Sequence, residues 1–338
     1  MIVSRYKIEY FTQMRKKFLK MLLAVVGLSL NSYIFADTWT DPEVAAKEDP
    51  LFDVQGEYGI AEKGQAWAVQ VIAMGDGKLD AYALEGGFPG LGFEKGKKRI
   101  HLTGELKDGI ATLSSQDKIT EAVIKGRSLA LKMKGEEVGS LSRVERKSAT
   151  LGAKAQEGAI ILFDGTDADA WEKGEVVDGL LRNNDIKTKR KFGSYTLHLE
   201  FRTPYKPKAR GQGRGNSGVY HQHRYETQVL DSFGLEGKNN EAGGIYQIAA
   251  PKLNMCFPPL TWQTYDVDFT TAEFNDAGKL TKPASMSVRL NGVEVHKDQE
   301  LPKTTGGAGL KLAPEPGPIY IQGHGNPVFY RNIWIVEK

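Results

Sequence analysis

Apolar and polar residues alternate with a period of two through much of the chain. Between about 51 and 147 the alternating runs are short and cut by glycine: Trp67–Met74, Lys78–Leu84, Ile100–Leu106 and Ser128–Met133. Such runs separated by turn residues predict a small antiparallel β-domain. From Ala159 onward the runs lengthen. Tyr195, Leu197, Leu199 and Phe201 alternate with Thr196, His198, Glu200 and Arg202. Met286, Val288 and Leu290 alternate with Ser287 and Arg289, then meet Asn291-Gly292, the strongest short hairpin-turn signal. Outside the amino-terminal segment no window of about 12 residues shows a helical period, so this second region predicts a two-sheet sandwich or jelly roll. No repeat of about 20–50 residues is present, which weighs against a propeller or solenoid. The expected class is all-β: a carboxy-terminal jelly-roll sandwich over 158–338, preceded by a small antiparallel β-domain over 37–150. Residues 37–50 read as an exposed leader, and the small, polar stretch 146–158 reads as a linker.

Composition narrows the picture. The chain has 338 residues, 26% charged and 40% hydrophobic, an ordinary globular balance that excludes collagen-like, disordered and multi-span membrane classes. The net charge of +3 is misleading, because Arg5, Lys7, Arg15, Lys16, Lys17 and Lys20 against Glu9 put +5 into residues 1–36. The remainder stands at −2, which removes the case for a nucleic-acid partner. Met14–Lys20 forms a charged start and Met21–Leu30 an apolar run, and Ile34-Phe35-Ala36 offers a cleavage site before Asp37. That order predicts a signal peptide over 1–36 and an exported protein, periplasmic, cell-surface or secreted. The apolar run falls short of about 18 residues, so no membrane span is expected after cleavage. Cys256 is the only cysteine, so no intrachain disulfide can form. It sits in a loop-like stretch ending Pro258-Pro259 and reads as a passive thiol.

Polar density peaks between Asn216 and Asp231. On a strand, His221 and His223 would share a face, as would Glu226 and Gln228. A wet sheet face explains some of this polarity. Histidine, arginine, glutamate, glutamine and aspartate around Tyr220 and Tyr225 fit a carbohydrate groove better, since aromatic faces stack on sugar rings while carboxylates and amides bind hydroxyls. Two other stretches have the same character. Thr261–Phe269 holds Trp262, Gln263 and Asp266, and Gln322-Gly323-His324-Gly325 places a histidine between two glycines, where a ligand can approach the backbone.

Taken in order, several of these segments resemble the 3-keto-disaccharide hydrolase family. They are Leu162-Phe163-Asp164-Gly165-Thr166, Asn216-Ser217-Gly218-Val219, Arg224 through Ser232, Gly244-Ile245-Tyr246, Trp262 through Asp266, Asn291-Gly292-Val293, Gln322 through Val328, and Arg331 through Ile335. The resemblance covers about 158–338 and implies a concanavalin-like jelly roll. This chain departs from the family's usual pattern at Gln222-His223 and at Glu241–Gly244. The resemblance implies cleavage of 3-keto-glycosides. A ketone at C3 acidifies the C2 hydrogen; a base removes that proton, the C1 substituent leaves by elimination, and water adds back. Such a site needs a base with a pKa near working pH and donors at the developing enolate oxygen. Glu226, His324, Asp231, His221 and His223 are the candidates for base or acid. Tyr220, Arg224, Gln228, Trp262, Gln263, Asp266 and Gln322 are the candidates for holding sugar or enolate. No cofactor is certain; a divalent metal, if bound, would draw on His221, His223 and Glu226. The implied partners are an oxidised sugar and a separate sugar C3-dehydrogenase.

Two other classes fit the same residues. Jelly-roll glycosidases carry paired carboxylates on one bulged strand, and Glu226 and Asp231 have that spacing. Carboxyls about 5–5.5 Å apart would indicate a retaining double displacement. A non-catalytic carbohydrate-binding protein would need only the polar, aromatic face.

Overall fold

The computed structural model describes residues 37–338, so the signal peptide expected over 1–36 lies outside the described residues. The protein is nearly all β, as the alternation predicts.

The stretch read as an exposed leader is instead structured. Asp41 and Asp49 each cap a short helix, Pro42–Glu48 and Pro50–Val54. Each aspartate accepts hydrogen bonds from first-turn amides, and each is followed by proline, whose fixed φ suits the first helical position. Ala45 and Leu51 then bury against the adjoining strands. Helices of seven and five residues are too short to display a period, which is why alternation alone misses them.

Eight antiparallel strands between Gly56 and Val144 close into a barrel. Closure falls to Gly56–Tyr58, which pairs with Trp67–Gly75 on one side and Glu136–Val144 on the other. Val69, Val71, Ala73, Leu79, Ala81 and Ala83 fill the interior with small side chains, as a narrow barrel requires. Gln70 and Ile72, on the other face of their strand, are buried as well.

The second region is a sandwich. One sheet runs in the order Trp171–Glu172, Ile186–Thr188, Tyr320–Ile321, Ser217–His221, Tyr225–Val229. The larger sheet centres on Tyr195–Arg202, paired with Gln263–Thr270 and Phe329–Glu337. Leu197, Leu199, Phe201, Val267, Val219 and Ile321 are among the side chains that meet between the sheets. Asn291-Gly292 makes the tight turn its sequence predicts, with φ of 54° and 80° joining Ala284–Leu290 to Val293–Leu301.

Barrel and sandwich share buried chemistry. Tyr205 and Leu260, from the sandwich, belong to the barrel's apolar cluster. Arg214 pairs with Asp231 at 2.6 Å and donates to the Ala73 carbonyl of the barrel at 3.1 Å. The first half of the stretch read as a linker is tied down, while Lys154–Gly158 are exposed. The Arg146 guanidinium grips Glu57 at 2.6 and 2.7 Å, Thr150 donates to Asp266, and the Gly152 amide donates to Glu200.

Candidate active site

The hairpin of Ser217–His221 and Tyr225–Val229 sets the geometry. Its register is unbroken, from Ser217 opposite Val229 to His221 opposite Tyr225. Odd-numbered residues therefore face the core and even-numbered ones face outward. His221 consequently points inward and is fully buried, its ring nitrogens held by the hydroxyls of Tyr195 (2.8 Å) and Thr227 (3.0 Å). Burial pushes it down to about 3, so it is a neutral core histidine. The expected shared face with His223 fails for a local reason: Gln222 and His223 both take left-handed backbone, with φ near 53° and 54°, and form the turn. His223 thereby reaches the outward side, where its ring stacks on Tyr320 at 4.1 Å.

Across the outward face, strand pairing lines up Glu226, Tyr220, Tyr320 and Lys187 in one row. The next row holds Gln228, Gly218 and Gln322, the last with its amide bonded to the Gly218 carbonyl. Glu226 is 2% exposed, and burial pushes its carboxyl up to about 7, against a hydrogen bond from Tyr220 that lowers it. The Tyr220 hydroxyl lies 2.9 Å from Glu226 Oε2 and 3.0 Å from the Gly306 carbonyl, and it receives the Gln322 amide at 3.4 Å. A phenol has one proton to give. It donates to Glu226 when that carboxylate is ionised, and it can turn to Gly306 when Glu226 itself carries the proton. The arrangement thus accommodates both protonation states of Glu226. Gly218 makes room for it, since a Cβ there would lie 2.2 Å from Glu226 Oε1.

Other candidates are placed elsewhere. Gln228 lies on this face, but its amide nitrogen is taken by Asn216 at 2.7 Å and by backbone carbonyls. Arg224 donates to the carbonyls of Lys311 and Glu315, holding the loop that covers the hairpin tip. Asp231 lies beyond the strand in its buried pair with Arg214. The strand carries no bulge, so Glu226 and Asp231 do not form the paired carboxylates of a jelly-roll glycosidase. His324 is exposed on the loop that follows the Tyr320–Ile321 strand, outside the row that holds Glu226. Trp262, Gln263 and Asp266 belong to the other sheet or the turn leading into it. Gln263 is buried and serves Phe257 and Asn291. Asp266 bonds His198 at 2.6 Å on that sheet's outer face, and Trp262 lies between Arg202 and Arg331. Because His221 faces inward, the trio of His221, His223 and Glu226 does not converge. Among the described residues, no three histidine, cysteine, aspartate or glutamate side chains are placed to hold a metal ion.

Three contributors are not singled out as site residues by the sequence: Tyr320, Gly218 and Gly306. Tyr320 was findable, since it stands between Ile319 and Ile321 in strict alternation and so must face outward. The two glycines give no such signal: Gly218 leaves the space that Glu226 fills, and Gly306 matters through its carbonyl, which accepts from Tyr220.

A two-sheet β-sandwich with a buried acid on the outward face of its smaller sheet is the frame in which these residues meet. The chain belongs to the family of 3-keto-alpha-glucoside-1,2-lyase-like domains, whose model matches residues 158–336. A solved structure of a candidate glycosyl hydrolase from Parabacteroides distasonis ATCC 8503 is 35% identical, covering 54% of this chain and 84% of that one, with a TM-score of 0.50. Another candidate glycosyl hydrolase structure from the same organism is 20% identical, covering 54% and 94%, with a TM-score of 0.40. The comparison with curated proteins returned no match.

Proposed function

We propose that the protein is an exported carbohydrate-active enzyme that cleaves the glycosidic bond of 3-keto-glycosides, 3-keto-disaccharides among them, by elimination followed by hydration. The observation that carries this is Glu226: a carboxyl pushed up to about 7, buried, and bonded to a hydroxyl that suits either of its protonation states. Abstraction of a proton next to a ketone needs a base of that strength near neutral pH, an effect worth roughly 10²–10⁴-fold. A face that only binds sugar gains nothing from an acid so poised.

Glu226 takes the C2 proton, and the C2–H electron pair moves to the C3 carbonyl oxygen as an enolate. The enolate collapses back to the C3 ketone while its C2–C3 pair forms the C1–C2 double bond and the C1–O bond breaks; the proton on Glu226 passes to the leaving oxygen. Water then adds at C1 and a proton returns to C2, giving net hydrolysis. Tyr220 is a positioning residue, holding the carboxylate in line. Gln322, half-exposed beside the Tyr220 hydroxyl, would donate to a sugar or enolate oxygen. The ketone would be installed by a separate dehydrogenase acting at C3.

The discriminating assay compares a chromogenic 3-keto-glucoside with its unoxidised parent. Elimination predicts turnover of the keto compound and little of the parent. The reverse preference would point to a glycosidase, and binding without turnover of either would leave a carbohydrate-binding protein.

A further inference from the structure

We propose that a basic trough beside this site is a subsite for the leaving group, and that it selects anionic saccharides carrying carboxylate or sulfate. The assignment rests on Glu226 being the base, since that fixes which end of the trough meets the reacting sugar.

Two neighbouring cavities share Lys95 and Glu236 as a common wall and together make up the trough. The nearer, about 510 Å³, is bounded by Lys238, Asn239, Tyr246 and Gln247. Tyr246 ties this cavity to the strand that carries the acid, through the main chain and through Gly306. Its amide donates to the Glu226 carbonyl at 3.2 Å, and its ring lies against Gly306, whose carbonyl faces the Tyr220 hydroxyl. The farther cavity, about 190 Å³, lies between barrel and sandwich over an apolar floor of Leu84, Phe93 and Leu253.

The charge of the walls is one-sided. Lys95, Lys97, Arg99, Lys238 and Lys252 line the two cavities, against Glu236 alone. Arg99 is fixed, packed over the Tyr82 ring at 3.3 Å and bonded to the Gly234 carbonyl, and Glu236 reaches it only at 4.0 Å. Lys252 is partnered by Glu294. Lys95 and Lys238 are exposed and form no ion pair among the described residues. An apolar floor suits the face of a sugar ring, side-chain amides suit its hydroxyls, and cations held near low-dielectric walls draw negative charge. A neutral glycan would use the floor and the amides and leave the cations idle.

The test is titration calorimetry on the full protein with trigalacturonate, a sulfated trisaccharide and maltotriose as probes. It compares wild type with the double variant Lys95→Glu/Lys238→Glu, whose fold is checked by its melting temperature. Wild type should bind trigalacturonate at least tenfold more tightly than maltotriose. The double variant and high salt should each abolish that advantage. The sulfated probe should likewise bind more tightly than maltotriose in wild type and lose that advantage in the same variant. Acidic probes bound no better than maltotriose, or a preference that survives the charge reversal, would overturn the proposal. Turnover of a neutral 3-keto-glucoside by wild type is measured separately. Its absence would remove Glu226 as base, whereas the calorimetry alone decides the basic subsite.

Discussion

Replacing Glu226 by glutamine should make the protein more stable above neutral pH, by an amount that the site itself sets. Burial raises the carboxyl from its ordinary 4.5 to about 7, so the folded state holds the proton where the unfolded chain releases it. The sign follows from linkage: between these values the native state binds more protons, and stability falls as pH rises. At about 1.4 kcal/mol for each tenfold change in proton affinity, the full penalty is about 3 kcal/mol, reached above pH 7 and absent below about pH 4. Glutamine keeps the shape and carries no charge, so its own packing cost is the same at every pH. Urea denaturation of wild type and Glu226→Gln at pH 4.5 and pH 8 isolates the difference. The variant should gain roughly 2–3 kcal/mol relative to wild type on going from the lower to the higher pH. Parallel pH dependence in the two proteins would show that Glu226 is not held in a raised state and would refute the argument from burial.

Tyr220→Phe removes the donor that favours the charged carboxylate, a contribution of about 1.5–3 kcal/mol for a bond to a charged group. The acid limb of the kcat/KM profile on a 3-keto-glucoside should therefore move upward by about one pH unit or more. Gly218→Ala would set a methyl 2.2 Å from Glu226 Oε1, so kcat should fall by roughly 10²-fold while unfolding costs only about 1–3 kcal/mol of stability. Arg214→Ala would strand the buried Asp231 carboxylate without its partner; chemical denaturation should show a loss of about 3–5 kcal/mol.

What the sequence discloses and what it hides have physical causes. Period-two alternation is a property of a strand's own backbone, so Tyr195–Arg202 and the Asn291-Gly292 hairpin are legible without any tertiary information. It correctly sets Gln263 and Tyr265 on one face and Thr264 and Asp266 on the other. Which sheet a face belongs to is a matter of topology, and nothing local to Trp262 or Asp266 says that they stand on the sheet away from Glu226. His221 and His223 diverge because two left-handed residues interrupt the alternation between them, and Gln-His is not a sequence that announces such a turn. The closing of the barrel is likewise invisible, since it depends on a three-residue strand, Gly56–Tyr58, too short to show a period.

The most direct test of the central claim, that Glu226 removes the C2 proton of an oxidised sugar, is hydrogen exchange at that carbon. A 3-keto-glucoside is turned over in D₂O, and deuterium at C2 of the released keto-sugar is read by NMR for wild type and Glu226→Gln. Wild type should release product labelled at C2, and the variant should lose both turnover and label by roughly 10²-fold or more. Product released without label at C2, or labelled as fast by Glu226→Gln as by wild type, would contradict the mechanism.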